Sequence, residues 1–203
     1  MIRENEISSE LEKLISEYAL TGKIVTDISP EFKELVELYF NDKNSSTLRQ
    51  YATSLICGYT NSFKKLGYDA IDKYGKHKEV KPTNRNSKTS KKTFNGWFGF
   101  SDYTKDRFDN DVKNEVNILQ SFFVDGRLIY IIEFPIVDIT HKMDYLLEKY
   151  AGKQYIRKAE FTFADLNVDN IEIKYITPDI SEYTVAMTKK LYSFIISKHV
   201  PIV

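Results

Sequence analysis

An α/β or α+β fold, with a mixed central β-sheet flanked by helices, is what the sequence predicts. Three observations carry that expectation. Apolar residues recur at helical spacing through the first third of the chain. Short β-type apolar runs separated by turn residues occupy the middle. Helical stretches are then interposed among the later runs. At 203 residues there is room for one domain with a proper core. The expected division is a helical scaffold over 1–66 and a sheet core over 67–203.

In the first third, Ser9 and Glu12 form a capping-box pattern ahead of Leu11, Leu14, Ile15 and Tyr18, which share a helical face. Ser29-Pro30 is a second helix start, a cap residue followed by proline at the first helical position, and Phe32, Leu35, Val36 and Tyr39 follow at helical spacing. A third helix is expected from about Ser46 to Leu66, with Gly67 placed to end it. Tyr68–Asp72 and Lys78–Pro82 read as two short strands joined by a turn, followed by a long polar loop from Thr83 to Phe100 and a helix over Asp102–Lys113. Asn117–Val124 and Arg127–Pro135 are apolar runs separated by Asp125-Gly126, a strong signal for a two-residue hairpin turn. A short helix (Met143–Tyr150), strands near Ile156–Phe163 and Ile171–Ile176, and a closing helix (Glu182–Ser197) complete the reading.

Hydrophobic residues make up 42% and charged residues 29% of the chain, an ordinary globular balance. No stretch approaches the length of a membrane span, and the charged N-terminal residues do not read as a signal peptide. The single cysteine, Cys57, has no internal disulfide partner, suits a reducing cytoplasm, and reads as a small core residue. Zero net charge argues against a wholesale polyanion binder. The charge is nevertheless patterned: no acidic residue lies between Glu79 and Asp102, an interval that holds Lys81, Arg85, Lys88, Lys91 and Lys92. One concentrated basic loop fits a site-specific polyanion contact.

The stretch that carries chemistry is Gly67 to Pro82. Glu79 and Lys81 stand two apart on one strand, so both side chains leave the same face, and the hairpin brings Asp69 beside it. Two carboxylates and an ammonium then converge. Hydrolysis of a phosphodiester requires such a point: hard oxygen ligands suit Mg²⁺, which polarises the phosphate and acidifies a bound water. A neighbouring lysine stabilises the charge that develops. Val80 alternates to the opposite, buried face, and its carbonyl is placed to complete the metal shell. Asp72 is a rival first acid, but three residues on it faces away from Asp69, and Asp69 is preferred.

These residues also carry a resemblance. Asp69-Ala-Ile-Asp72, a glycine turn at Gly75, then Glu79-Val80-Lys81 is similar, at the same spacing, to the active-site hairpin of PvuII-like restriction endonucleases in the PD-(D/E)XK nuclease superfamily. About 15 of the 203 residues are covered, and Tyr68 stands where the family's usual proline would. The resemblance implies a restriction-endonuclease-like fold and a Mg²⁺-dependent endonuclease, usually a homodimer cutting a short palindrome in double-stranded DNA. It places metal ligands at Asp69, Glu79 and the Val80 carbonyl, and the catalytic lysine at Lys81.

Thr83, Asn84, Arg85, Asn86, Ser87, Lys88, Lys91 and Asn95 are the candidate DNA contacts. Cations supply phosphate affinity, and Arg and Asn read guanine and adenine through paired hydrogen bonds. Asn84, Arg85, Asn86 and Lys88 form the richest set, with Asn95-Gly96 and Ser101 as phosphate contacts. Trp97, Phe98 and Phe100 read as loop anchors more readily than as base-stacking platforms. His77 either touches DNA or caps the sheet edge. Glu133, inside an apolar strand, is an extra metal ligand or, preferably, a buried partner of a basic side chain. His141 and His199 are not spaced as a zinc site. Three functions are open to such a chain: a type II restriction endonuclease, which leads; a structure-selective repair nuclease or junction resolvase; and a non-catalytic DNA-binding module.

Overall fold

The computed structural model describes residues 4–62 and 67–198. It is a mixed α/β fold with six α-helices among the described residues, and none of them is long and apolar enough to cross a membrane. The central sheet has the order β1 (Thr60–Asn61), β2 (Ala70–Ile71), β3 (His77–Arg85), β5 (Asn117–Val124), β6 (Arg127–Pro135), β8 (Glu172–Ile176). All neighbours are antiparallel except β3 and β5, which run parallel from Lys78↔Asn117 to Arg85↔Val124. Strands β4 (Phe98–Tyr103) and β7 (Ile156–Phe161) form a separate antiparallel pair.

Alternation along β5 explains how one sheet serves two cores. Ile118 and Phe122 face a large aromatic cluster with Phe98, Phe100, Tyr103, Phe134 and Phe161. Leu119 and Phe123 face the other side, where Leu14, Ile15, Val36, Phe40 and Ala52 of the N-terminal helices cover the sheet with Val80 beneath them. The expected helical scaffold is thus a layer on one sheet face, and its last described residues already contribute strand β1. The β5–β6 hairpin falls at the expected boundaries. Asp125 and Gly126 have φ of 49° and 83°, the left-handed pair that a two-residue turn between twisted strands demands.

Helix α2 (Pro30–Asn41) starts as read, with the Ser29 hydroxyl accepting from the Phe32 N–H. Other boundaries shift for local reasons. Helix α1 spans Glu4–Thr21, so Ser9 lies inside it and does not start it. Helix α3 (Thr47–Ile56) closes where Cys57 N–H returns to Thr53 and Gly58 N–H to Leu55, ten residues short of Leu66. The expected end at Leu66 lies outside the described residues. Strand β3 continues to Arg85 because β5 pairs with it throughout, and the loop shrinks to 86–97. Helix α4 (Lys105–Lys113) begins after a Thr104 cap, with Asp102 and Tyr103 left in β4. Helix α5 covers Thr140–Lys149. The closing helix α6 starts only at Lys189, since Phe94 draws residues 186–188 into an extended pairing through Ala186 and Thr188.

Strand β3 carries charge on both faces. On the side away from Glu79, the Lys78 ammonium is buried against Glu133 (2.7 Å) and Asp72 (3.0 Å). Glu133 also accepts from Tyr59 Oη and Asn117 Nδ2, each at 2.6 Å, and pairs with Lys174 at 3.1 Å. Its carboxyl is held below the usual range by those hydrogen bonds acting against burial. Five segments are thereby pinned around one end of β3. Removing one partner of a buried pair leaves the other charge uncompensated, so Lys78→Ala is expected to destabilise the protein by about 3–5 kcal/mol in urea unfolding. Lys76→Ala, on an exposed pair with Glu115 at 3.4 Å, is expected to change it by less than about 0.5 kcal/mol. Equal effects would remove the network from the account of the fold.

Candidate active site

The site forms where β2 stops. Ala70 and Ile71 pair with Lys78 and His77, and Asp69 N–H still reaches the Lys78 carbonyl at 3.0 Å. The next outward-facing peptide on that edge belongs to Val80, and no strand residue meets it. In a strand the N–H and C=O of one residue point the same way, so both groups of Val80 need side-chain partners. Asp69 Oδ2 accepts from the Val80 N–H at 2.7 Å, and Gln50 Nε2 donates to the Val80 carbonyl at 3.3 Å. The Asp69 carboxylate is therefore fixed beside the very carbonyl that the sequence singles out.

Glu79 and Lys81 project from β3 on one face, as their spacing requires. Lys81 Nζ lies 2.6 Å from Glu79 Oε1 and 4.5 Å above the Phe100 ring. Arg107, on α4, reaches the same Glu79 oxygen at 3.3 Å, while its guanidinium lies over the Tyr103 ring and 3.9 Å from Asp111. Tyr103 Oη donates to Asp111 at 2.6 Å, which anchors that carboxylate behind the arginine. Burial, followed by the negative charge of Glu79, pushes the Asp69 carboxyl up to about 6, against the pull of the Val80 N–H, Lys81 and Arg107.

Asp72 and Glu133 fall outside this constellation. Asp72 Oδ1 accepts from Tyr74 and Lys76 N–H groups, both at 2.9 Å, and its other oxygen pairs with Lys78. It builds the turn and neutralises the lysine on the far face. Glu133 is the buried basic-side-chain partner described above. His77 stacks on Tyr68 with ring centroids 4.3 Å apart. The Cys57 thiol is pushed up to about 12 by burial and then by Glu133.

Among the described residues no group of three or more His, Cys, Asp or Glu side chains converges as a metal site. A cation beside Val80 would have two carboxylates and a backbone carbonyl. That all-oxygen donor set is hard and anionic, and a buried acid pushed toward neutrality by its neighbour is what a divalent ion would relieve. The residues fit Mg²⁺ on those grounds. Two members of the constellation, Gln50 and Arg107, escape sequence reasoning. Each arrives from an element remote in sequence, and neither belongs to a local pattern.

The candidate DNA contacts divide into two groups. Thr83 Oγ1 donates to the Trp97 carbonyl (3.1 Å), Asn84 bridges Asn41 and the Gly126 N–H (both 3.1 Å), and Arg85 donates to Ser90 O (3.1 Å). Asn86 Oδ1 accepts from Lys88 N–H (3.1 Å) and Thr89 N–H (3.0 Å), and Ser87 is bonded to Asp125 through its N–H (2.9 Å) and its hydroxyl. These five hold the loop in shape. Lys88, Lys91 and Asn95 are exposed, and none of their side chains has a hydrogen bond or ion pair among the described residues. Gly96 answers to packing, since a Cβ there would meet the Phe163 Cβ at 2.7 Å.

For Asp69 the sign of the pH effect follows from the direction of its shift. A carboxyl raised from 3.8 to about 6 binds more protons folded than unfolded across that window. The Asp69 contribution to stability therefore falls as pH rises from 3.8 to about 6 in metal-free buffer. Asp69→Asn keeps an acceptor for Val80 and removes the charge. It is expected to flatten that slope and to stabilise the metal-free protein at pH 7 by about 2–3 kcal/mol. Urea unfolding in EDTA at pH 4, 5, 6 and 7 checks this, and an unchanged slope would show that the Asp69 carboxyl is not raised in the folded protein. No protein-family model matches the chain, and no curated protein is significantly similar to it.

Proposed function

We propose that this chain is a Mg²⁺-dependent endodeoxyribonuclease of the PD-(D/E)XK type, acting as a type II restriction endonuclease on double-stranded DNA. The observation that carries the reading is the Glu79–Lys81 pair on one face of β3 with Asp69 bonded to the N–H of the intervening Val80, close enough to feel the charges of both. A central strand bearing Glu79 and Lys81, with Asp69 just before the neighbouring strand β2, in a mixed sheet flanked by helices supports this reading.

When bound, Mg²⁺ supplies charge neutralisation at the phosphate and a more acidic water. Asp69, Glu79 and the Val80 carbonyl would hold it. Lys81 Nζ, paired with Glu79, has further N–H donors for an oxygen of the phosphate as negative charge grows there. Phe100 lies under that ammonium and confines it to the same face. In the balanced reaction water adds across a P–O bond, the phosphorus keeps the new hydroxyl oxygen, and the departing oxygen takes a proton.

A homodimer is part of the reading. Helix α2 leaves Leu35, Leu38 and Tyr39 44–65% exposed and Phe32 40% exposed, an apolar stripe that supports a second copy against this layer. A structure-selective nuclease is the second reading. It is favoured by the internal bonding of Asn84, Arg85 and Asn86, which leaves fewer side chains to read base edges.

Supercoiled plasmid incubated with the purified protein tests the proposal. Cutting is expected with Mg²⁺ and none with EDTA, and discrete fragments distinguish sequence choice from structure selection. Glu79→Ala and Lys81→Ala are each expected to lower the rate by about 100-fold or more. Metal-dependent cutting that survived unchanged in both variants would overturn the assignment.

A further inference from the structure

Trp97 is the chain's only tryptophan, and it is 43% exposed between Gly96 and the buried Phe98. The loop cannot readily turn it inward. Its carbonyl accepts from Thr83 Oγ1 at 3.1 Å, and Gly96 is packed without spare room against Phe163. Among the described residues no ring pair, cation contact or hydrogen bond uses the indole. The indole lies with its Cζ2 beside Gly99 and the rest of its exposed surface toward solvent, and the neighbouring Phe98 and Phe100 already anchor the strand.

The indole forms a wall of two clefts, each of roughly 460 Å³. One is lined by Thr83, Arg85, Lys91, Lys92 and Asn95, three cations with no carboxylate. The other is lined with amides and hydroxyls, including Asn41, Asn44, Asn84 and Asn86, and Asp42 is its one acid. A flat ring joined to an anionic backbone matches this pair of clefts: phosphates to the cationic one and the ring to the indole between them. Thr83 stands two residues after Lys81 on the same face of β3, about 7 Å along the strand. That is the reach of one or two nucleotide steps from the proposed catalytic face.

From this we infer that Trp97 is a stacking platform for an unpaired nucleobase of the substrate strand, beside the phosphates gripped by Lys91 and Lys92. The inference rests on DNA being the substrate. Stacking on an aromatic side chain tolerates any base and needs the base out of the duplex stack.

The lone tryptophan reports on itself. In EDTA, the wild-type protein is titrated with a short single-stranded oligonucleotide, an abasic strand of equal length, and an intact duplex. Emission is read alongside the anisotropy of labelled strands in separate samples. Single-strand binding is expected to quench Trp97, the abasic strand to bind without quenching, and the intact duplex to quench less. Trp97→Ala is expected to weaken single-strand binding about tenfold, with Trp97→Phe recovering most of the loss and abasic-strand binding unchanged. Binding with unaltered emission, or equal quenching by the abasic strand, overturns the platform and leaves the nuclease reading standing. No binding of any strand overturns both.

Discussion

Val80 sits at the point where one strand runs on and its neighbour does not. Its peptide faces the side on which β2 pairs, but β2 ends before reaching it, and a peptide near the core cannot be left without partners. Asp69 and Gln50 fill the gap from two different elements. An acid, an amide and a backbone carbonyl are thereby fixed together by the ordinary requirement that buried hydrogen-bonding groups be satisfied. The same β-alternation that buries Val80 beneath the N-terminal helices turns Glu79 and Lys81 the other way.

The two faces of β3 treat charge differently. Lys78 is neutralised by Asp72 and Glu133 in a closed network whose members have few groups left to offer a ligand. Around Glu79 the cations of Lys81 and Arg107 gather on one oxygen, while Asp69 next to it is short of compensation and shifts toward its neutral form. A closed network holds a sheet together, and a constellation with one uncompensated acid is one that a cation can enter. Position along the strand decides between them: Lys78 and Glu79 are adjacent in sequence and belong to different chemistry.

Much of this was legible in the chain. Asp125-Gly126 between two apolar runs fixes the β5–β6 hairpin to the residue, because few other sequences adopt two consecutive left-handed conformations. Glu79-x-Lys81 fixes a shared face through the period of a strand, and the three-residue offset between Asp69 and Asp72 separates their roles. The roles of Gln50 and Arg107 were not legible, since each depends on how a distant helix docks on β3. Nor was the internal bonding of Asn84, Arg85, Asn86 and Ser87, which have the composition of a recognition loop and spend their polar groups on its shape. The end of α3 near Cys57 was hidden by an apolar pattern that continues past it. Trp97 shows the limit from the other side: its composition suggested an anchor, while only the docking of Gly96 on Phe163 reveals that it faces outward.

Anomalous diffraction from crystals soaked in Mn²⁺, a stand-in for Mg²⁺ with strong scattering, tests the proposed metal centre most directly. The expected result is a peak in contact with carboxylate oxygens of both Asp69 and Glu79 and with the Val80 carbonyl, and its loss in Asp69→Asn crystals. A peak elsewhere, or none at these residues under saturating Mn²⁺, would contradict the site from which the nuclease reading is built.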